Sequence, residues 1–110
     1  MDIKNISGVH VIEPSGNIQQ NETDELENEL HVLFEKGEYQ VVVDMRKVEN
    51  LCSSALGILV SYKRSLSENN GDLKLIIDTP QLQELFNVTM LNKVFEIGEL
   101  PDDVISLFQK

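Results

Sequence analysis

Three adjacent side chains carry most of the chemistry open to this sequence: Cys52, Ser53 and Ser54. A thiol and a hydroxyl are nucleophiles only when a base, a metal or a positive field activates them. The chain has two histidines, His10 and His31, and neither stands near the three in sequence. Leu51 occupies the place where a hydrolase elbow of the G-x-S-x-G type has its first glycine. An enzyme built on Cys52 or Ser53 as nucleophile therefore has little support. Accepting a phosphoryl group asks less of the surroundings. At the start of a helix the first N–H groups lack internal partners, and the helix dipole favours a phosphate dianion there. A plain capping role for Ser53 stands beside the acceptor reading, because serine is a preferred N-cap. Ser54 then reads as the first helical residue, and Cys52 as a small buried hydrophobe.

The elements that must position these residues follow from the apolar pattern. Residues 2–13 predict two short strands with a turn at Ser7-Gly8. Asn17-Ile18-Gln19 reads as a bridge. Asn21 to Lys36 predicts a helix, with Asn21 as cap, Asp24 three residues on, and Leu26, Leu30, Leu33 and Phe34 as its stripe. Gly37 ends it. Residues 40–45 hold three consecutive valines, the pattern of a central strand buried on both faces. A short loop then leads to a helix over 53–68, stopped by Asn69-Asn70-Gly71-Asp72. Residues 73–77 predict a strand. Thr79-Pro80 opens a third helix, 94–97 predict a short strand, and Pro101 starts a last helix. The three reactive side chains thus fall at a strand-to-helix turn, where α/β sheets place their sites.

On the 53–68 helix, Ala55, Ile58, Leu59, Tyr62 and Leu66 share one face. Leu56 and Val60 fall on a flank beside it. Apolar residues left over once a core is filled suit a protein-binding patch, and packing under a loop is the plain alternative.

Composition narrows the partners. The chain has 110 residues, 9 Lys plus Arg against 19 Asp plus Glu, and a net charge of −10. Such a surface offers no cationic patch to nucleic acid and repels anionic lipid, so proteins are the expected partners. The acids cluster on the first helix, a solvated face. No phosphate-binding glycine loop, metal-ligand cluster or disulfide pair is present, and no cofactor is expected. A single cysteine, a polar N-terminus and no apolar run of about 20 residues predict a soluble cytoplasmic chain without membrane insertion.

The segment Val43-Asp44-Met45-Arg46-Lys47-Val48-Glu49-Asn50-Leu51-Cys52-Ser53-Ser54-Ala55-Leu56-Gly57 resembles the signature of the STAS domain family. That signature is a hydrophobic strand followed by D-L-S-x-V-x-x-I/M/L-D-S-S-G-L-G. Gly16-Asn17-Ile18-Gln19 resembles the family's G-x-L/I-D, and Asn70-Gly71-Asp72-Leu73-Lys74-Leu75 its G-G-x-L-x-L. Leu85-Phe86-Asn87-Val88-Thr89-Met90-Leu91 resembles its L-F-x-x-S/T-G-L. The four motifs stand in the family's order and span nearly the whole chain. Cys52 and Gln19 stand where the family has aspartates, and Ala55 and Met90 where it has glycines.

The resemblance implies a single α/β domain: a mixed sheet of four to five strands with helices packed largely on one side. It implies an anti-sigma factor antagonist, a regulatory module that binds an anti-sigma factor acting as a serine kinase. Ser53 would be the phosphoacceptor, and Leu56, Val60, Ser54, Cys52 and Gln19 the partner-binding residues. The two replaced aspartates favour an alternative within the same fold. That alternative is a constitutive, unphosphorylated STAS scaffold of a stress-signalling complex or of lipid-transport machinery.

Overall fold

The computed structural model describes residues 1–109. The chain opens with strands β1 (Asp2–Ile6) and β2 (Val9–Glu13), paired antiparallel. Ser7 and Gly8 join them with φ of 54° and 85°. Two positive φ values in a two-residue loop match the twist of a hairpin. β1 is an edge strand with every residue exposed. Its Lys4 pairs with Glu13 at 2.8 Å, and a charge of this kind discourages edge-to-edge association.

Helix α1 (Gln20–Glu35) returns the chain to β4 (Gln40–Asp44), which lies parallel to β2. Helix α2 (Ser53–Ser67) leads to β6 (Asp72–Ile76), parallel to β4 on its other side. Helix α3 (Pro80–Val88) and a 3-10 turn over Leu91–Lys93 lead to β7 (Ile97–Gly98), and α4 (Pro101–Ser106) follows. The main sheet has the order β1-β2-β4-β6-β7.

The valine run behaves as a central strand must: Val41, Val42 and Val43 are wholly buried. Val41, Val43, Leu73 and Leu75 face the larger core with the stripes of α1, α2 and α3. Val9, Val11, Val42 and Ile76 face a smaller one closed by Val104 and Ile105 of α4. Three helices thus cover one face and one short helix covers the other, as expected.

Four local expectations are corrected. The stretch read as bridge and loop forms a second, two-stranded parallel sheet, β3 (Gly16–Ile18) with β5 (Val48–Leu51). Alternation is invisible in pieces this short, and backbone pairing stabilises them. Helix α1 is capped by Gln19 rather than Asn21, and the Gln19 N–H donates to Glu22 Oε1 at 3.0 Å. Glutamate three residues on is the stronger capping-box partner. The predicted 94–97 strand is only Ile97–Gly98, because Phe95 turns into the core against Phe86. His10, read as a surface residue, is half-buried and lies 3.0 Å from Glu38 Oε2.

Candidate functional site

Asp44 sets the turn that leads toward the site. Its carboxylate ends the central strand with 5 % exposure. It accepts from the Arg46 backbone N–H at 3.1 Å and is gripped by Arg46 Nε and Nη2, the latter at 2.7 Å. A buried charge held by a two-pronged guanidinium is a fixed point, so the chain reverses at Met45–Lys47 and enters β5. Gly16 N–H donates to Lys47 O, and Cys52 N–H donates to Ile18 O. These bonds lay β5 along β3 and deliver residues 52–54 beside residues 17–20.

The result is a shallow groove of about 540 Å³ between the starts of α1 and α2. Gln19, Gln20, Asn50, Cys52, Ser53 and Ser54 line it with Asn17, Ile18 and Leu51. None of these nine residues is an Asp, Glu, Lys or Arg, although the chain as a whole carries −10. The structure therefore brings Gln19, Cys52, Ser53 and Ser54 together. Leu56 and Val60 lie farther along α2, half-buried against the larger core rather than standing free.

Cys52, not Ser53, takes the N-cap of α2, so Ser53 is the first helical residue and Ser54 the second. The shift by one matters. Ser53 is exposed, and its hydroxyl has no side-chain hydrogen-bond partner among the described residues. Ser54 lies 3.1 Å from Cys52 Sγ and donates to Gln20 Oε1 at 3.2 Å. Cys52 Sγ also lies 3.3 Å from Thr23 Oγ1, on a residue wholly buried in α1. Cys52 is half-buried rather than enclosed. The Ser54 hydroxyl, then the Thr23 hydroxyl, then the Ala55 N–H bring its thiol down from an ordinary 9.0 to about 7, against a smaller opposing effect of burial. The N–H groups that face the sulfur do not close a capping hydrogen bond.

Sequence reasoning singled out Gln19, Cys52, Ser53 and Ser54 of the nine groove residues, and missed Gln20 in the groove and Thr23 behind it. Both look like ordinary first-turn helix residues. Only the β3–β5 pairing, which carries no apolar signature, places α1 against Cys52 and Ser54.

Among the described residues no cluster of His, Cys, Asp and Glu could hold a metal, and no helix is long and apolar enough to cross a membrane.

Known proteins share this fold. A Bordetella bronchiseptica protein assigned as the anti-sigma factor antagonist BtrV is 23 % identical over 104 residues, covering 94 % of this chain and 90 % of its own length. A crystal structure assigned as an anti-sigma factor antagonist of Thermotoga maritima superposes with a TM-score of 0.92 at 16 % identity, over 99 % of this chain and 94 % of the other. The Bacillus cell fate determinant SpoIIAA, solved in its phosphorylated form, gives 0.76 at 14 % identity, over 97 % of each chain. At such identities the superpositions speak for the fold. The sequence profile of the STAS domain matches residues 1–104, from the edge strand β1 into α4, and the chain belongs to the STAS domain family.

Proposed function

We propose that this chain is a protein-binding regulator of the anti-sigma factor antagonist type. It docks on an anti-sigma factor that is also a serine kinase, and phosphorylation of Ser53 switches the docking off. One observation carries the reading. Ser53 presents the free hydroxyl of a groove whose walls hold no carboxylate, at the head of a helix whose dipole favours the phosphate. Gln19, Cys52 and Ser54 form the polar part of the docking surface, and the half-buried flank of Leu56 and Val60 forms the apolar part. A dianion at Ser53 would have to be desolvated against that surface, which weakens the complex.

The test is a binding titration of purified Ser53→Asp and Ser53→Ala chains against the kinase recovered with the wild type. Ser53→Ala binds like wild type, and Ser53→Asp binds at least about tenfold more weakly, the factor for roughly 1.4 kcal/mol. Equal binding by a folded Ser53→Asp chain removes the switch. It leaves the second reading, an unphosphorylated STAS scaffold, favoured by Gln19 and Cys52 standing where the family carries aspartates.

A further inference from the structure

Two serines stand side by side at the head of α2, and counting their protons distinguishes them. The Ser54 hydroxyl has one proton. Gln20 Oε1, at 3.2 Å, has only lone pairs to offer, so Ser54 is the donor to it. The orientation of the Gln20 amide is itself set. Its Nε2 donates to Asp24 Oδ1 at 2.8 Å, and the flipped amide would turn an oxygen toward that carboxylate.

With the Ser54 proton on Gln20, the 3.1 Å contact to Cys52 Sγ is bonding only if the thiol donates to Ser54 Oγ. Thr23 Oγ1, at 3.3 Å, then donates to the sulfur. The donors run one way: Thr23 to Cys52, Cys52 to Ser54, Ser54 to Gln20, Gln20 to the Asp24 carboxylate. When Cys52 is a thiolate, Ser54 turns its proton to the sulfur and stays engaged. In both states the Ser54 proton is committed, to Gln20 beside the thiol and to Cys52 beside the thiolate, while the Ser53 hydroxyl has no side-chain partner among the described residues.

Resting on the reading that this turn is phosphorylated, we propose that Gln20 and Cys52 are positioning residues that restrict the reaction to Ser53 by keeping the Ser54 hydroxyl engaged. In the reaction the serine Oγ forms a bond to the γ-phosphorus of ATP. The bond from that phosphorus to the β,γ-bridging oxygen breaks, ADP leaves, and the hydroxyl proton passes to a basic group of the kinase. Ser54 could enter this reaction only after giving up its hydrogen bonds to Gln20 and Cys52. One hydrogen bond of ordinary worth corresponds to about a fivefold factor in population.

The experiment uses radiolabelled ATP, a lysate of the source organism and phosphosite mapping of full-length purified chains. Wild type is expected to carry label at Ser53, and Ser53→Ala to carry at Ser54 about a fifth or less of the label that Ser54 takes once released from Gln20 and Cys52. In the Ser53→Ala background, adding Gln20→Ala and Cys52→Ala gives label at Ser54, and Gln20→Ala alone gives the same in smaller amount. Gln20→Glu paired with Asp24→Asn keeps both the acceptor for Ser54 and the bond between positions 20 and 24, and returns the label to the level of Ser53→Ala alone, which loss of helix structure would not do. Equal label at Ser54 in Ser53→Ala with and without the Gln20 and Cys52 substitutions overturns the inference. So does a blank Gln20→Ala/Cys52→Ala/Ser53→Ala chain whose circular dichroism and melting match wild type, provided wild type is labelled at Ser53. A wild type that takes no label at either serine overturns the phosphorylation reading, and this inference with it.

Discussion

The sulfur of Cys52 lies 3.3 Å from the hydroxyl of Thr23, so the cap of α2 is tied to the buried side of α1. Hydroxyl donors stabilise a thiolate more than a thiol, and here Ser54 and Thr23 together lower the Cys52 value to about 7. Alkylation by iodoacetamide is therefore expected to follow a titration curve with its midpoint near pH 7. Ser54→Ala moves the midpoint upward, and Thr23→Val moves it by less, the order of their contributions. A midpoint that stays in place in Ser54→Ala contradicts the assignment. Electrostatics of this kind leave no mark in composition. Cys52 read from sequence is a small hydrophobe, and only its two hydroxyl neighbours make it otherwise.

A second charged cluster ties the start of β6 to its neighbours. Lys74 is 5 % exposed and bonds Asp72 and Glu96, each at 2.8 Å, beneath the Phe108 ring. Lys63 of α2 bonds the other oxygen of Asp72. Burial raises the Asp72 pKa, but the Lys63 and Lys74 hydrogen bonds outweigh it and hold the carboxyl below its ordinary 3.8. A lowered carboxyl stabilises the fold fully above 3.8, and the contribution is lost as pH falls through the folded-state value. Asp72→Asn should cost about 2–3 kcal/mol at pH 7, because Lys74 keeps its charge with one exposed carboxylate left. In urea melts the gap between wild type and variant should narrow as the pH is taken below 3.8. A gap independent of pH contradicts the ion-pair account.

The turn after α2 has no room for a side chain. A Cβ on Gly71 would lie 2.0 Å from the Tyr39 carbonyl oxygen, the same oxygen that accepts from Asp72 N–H. The obstacle is backbone, so a shift would break the first bond between β4 and β6. Gly71→Ala is expected to destabilise the fold by about 3 kcal/mol or more, in the upper range of single substitutions. Gly57, on the open face of α2, meets nothing within 4 Å, and Gly57→Ala should stabilise by up to about 1 kcal/mol. Urea midpoints of the two variants should move in opposite directions.

These particulars show where the sequence was readable. The three valines announced the central strand, because burial on both faces demands a continuous apolar run. Thr79-Pro80 and Gly37 marked helix ends, because proline and glycine have few other uses there. β3 and β5 stayed hidden, because strands of three and four residues have no period to read and are held by backbone bonds. The capping alternative weighed for Ser53 falls instead to Cys52, one residue earlier. Serine caps more often than cysteine, but here the bond from Cys52 N–H to Ile18 O fixes where the helix begins. Leu56 and Val60 were read as a flank outside the buried face, but both are half-buried against the larger core, as Ile58 and Tyr62 are, and that packing is not contained in a helical wheel.

Met90 is the remaining departure with a measurable cost. It stands where the family motif has glycine, and its φ of 60° and ψ of 17° place it in the left-handed region. A side chain there costs about 1–2 kcal/mol. Met90 is 58 % exposed, so little packing is recovered. Met90→Gly removes the strain but returns about 0.5–1 kcal/mol of unfolded-state freedom. The net expectation is a gain of about 0.5–1 kcal/mol, read as a rise of roughly 2–4 °C in Tm. Met90→Ala keeps the strained backbone and a Cβ, and should gain nothing. If both variants melt like wild type, the left-handed turn carries no strain. If both lose stability, the Met90 side chain makes a contact worth more than the strain it causes.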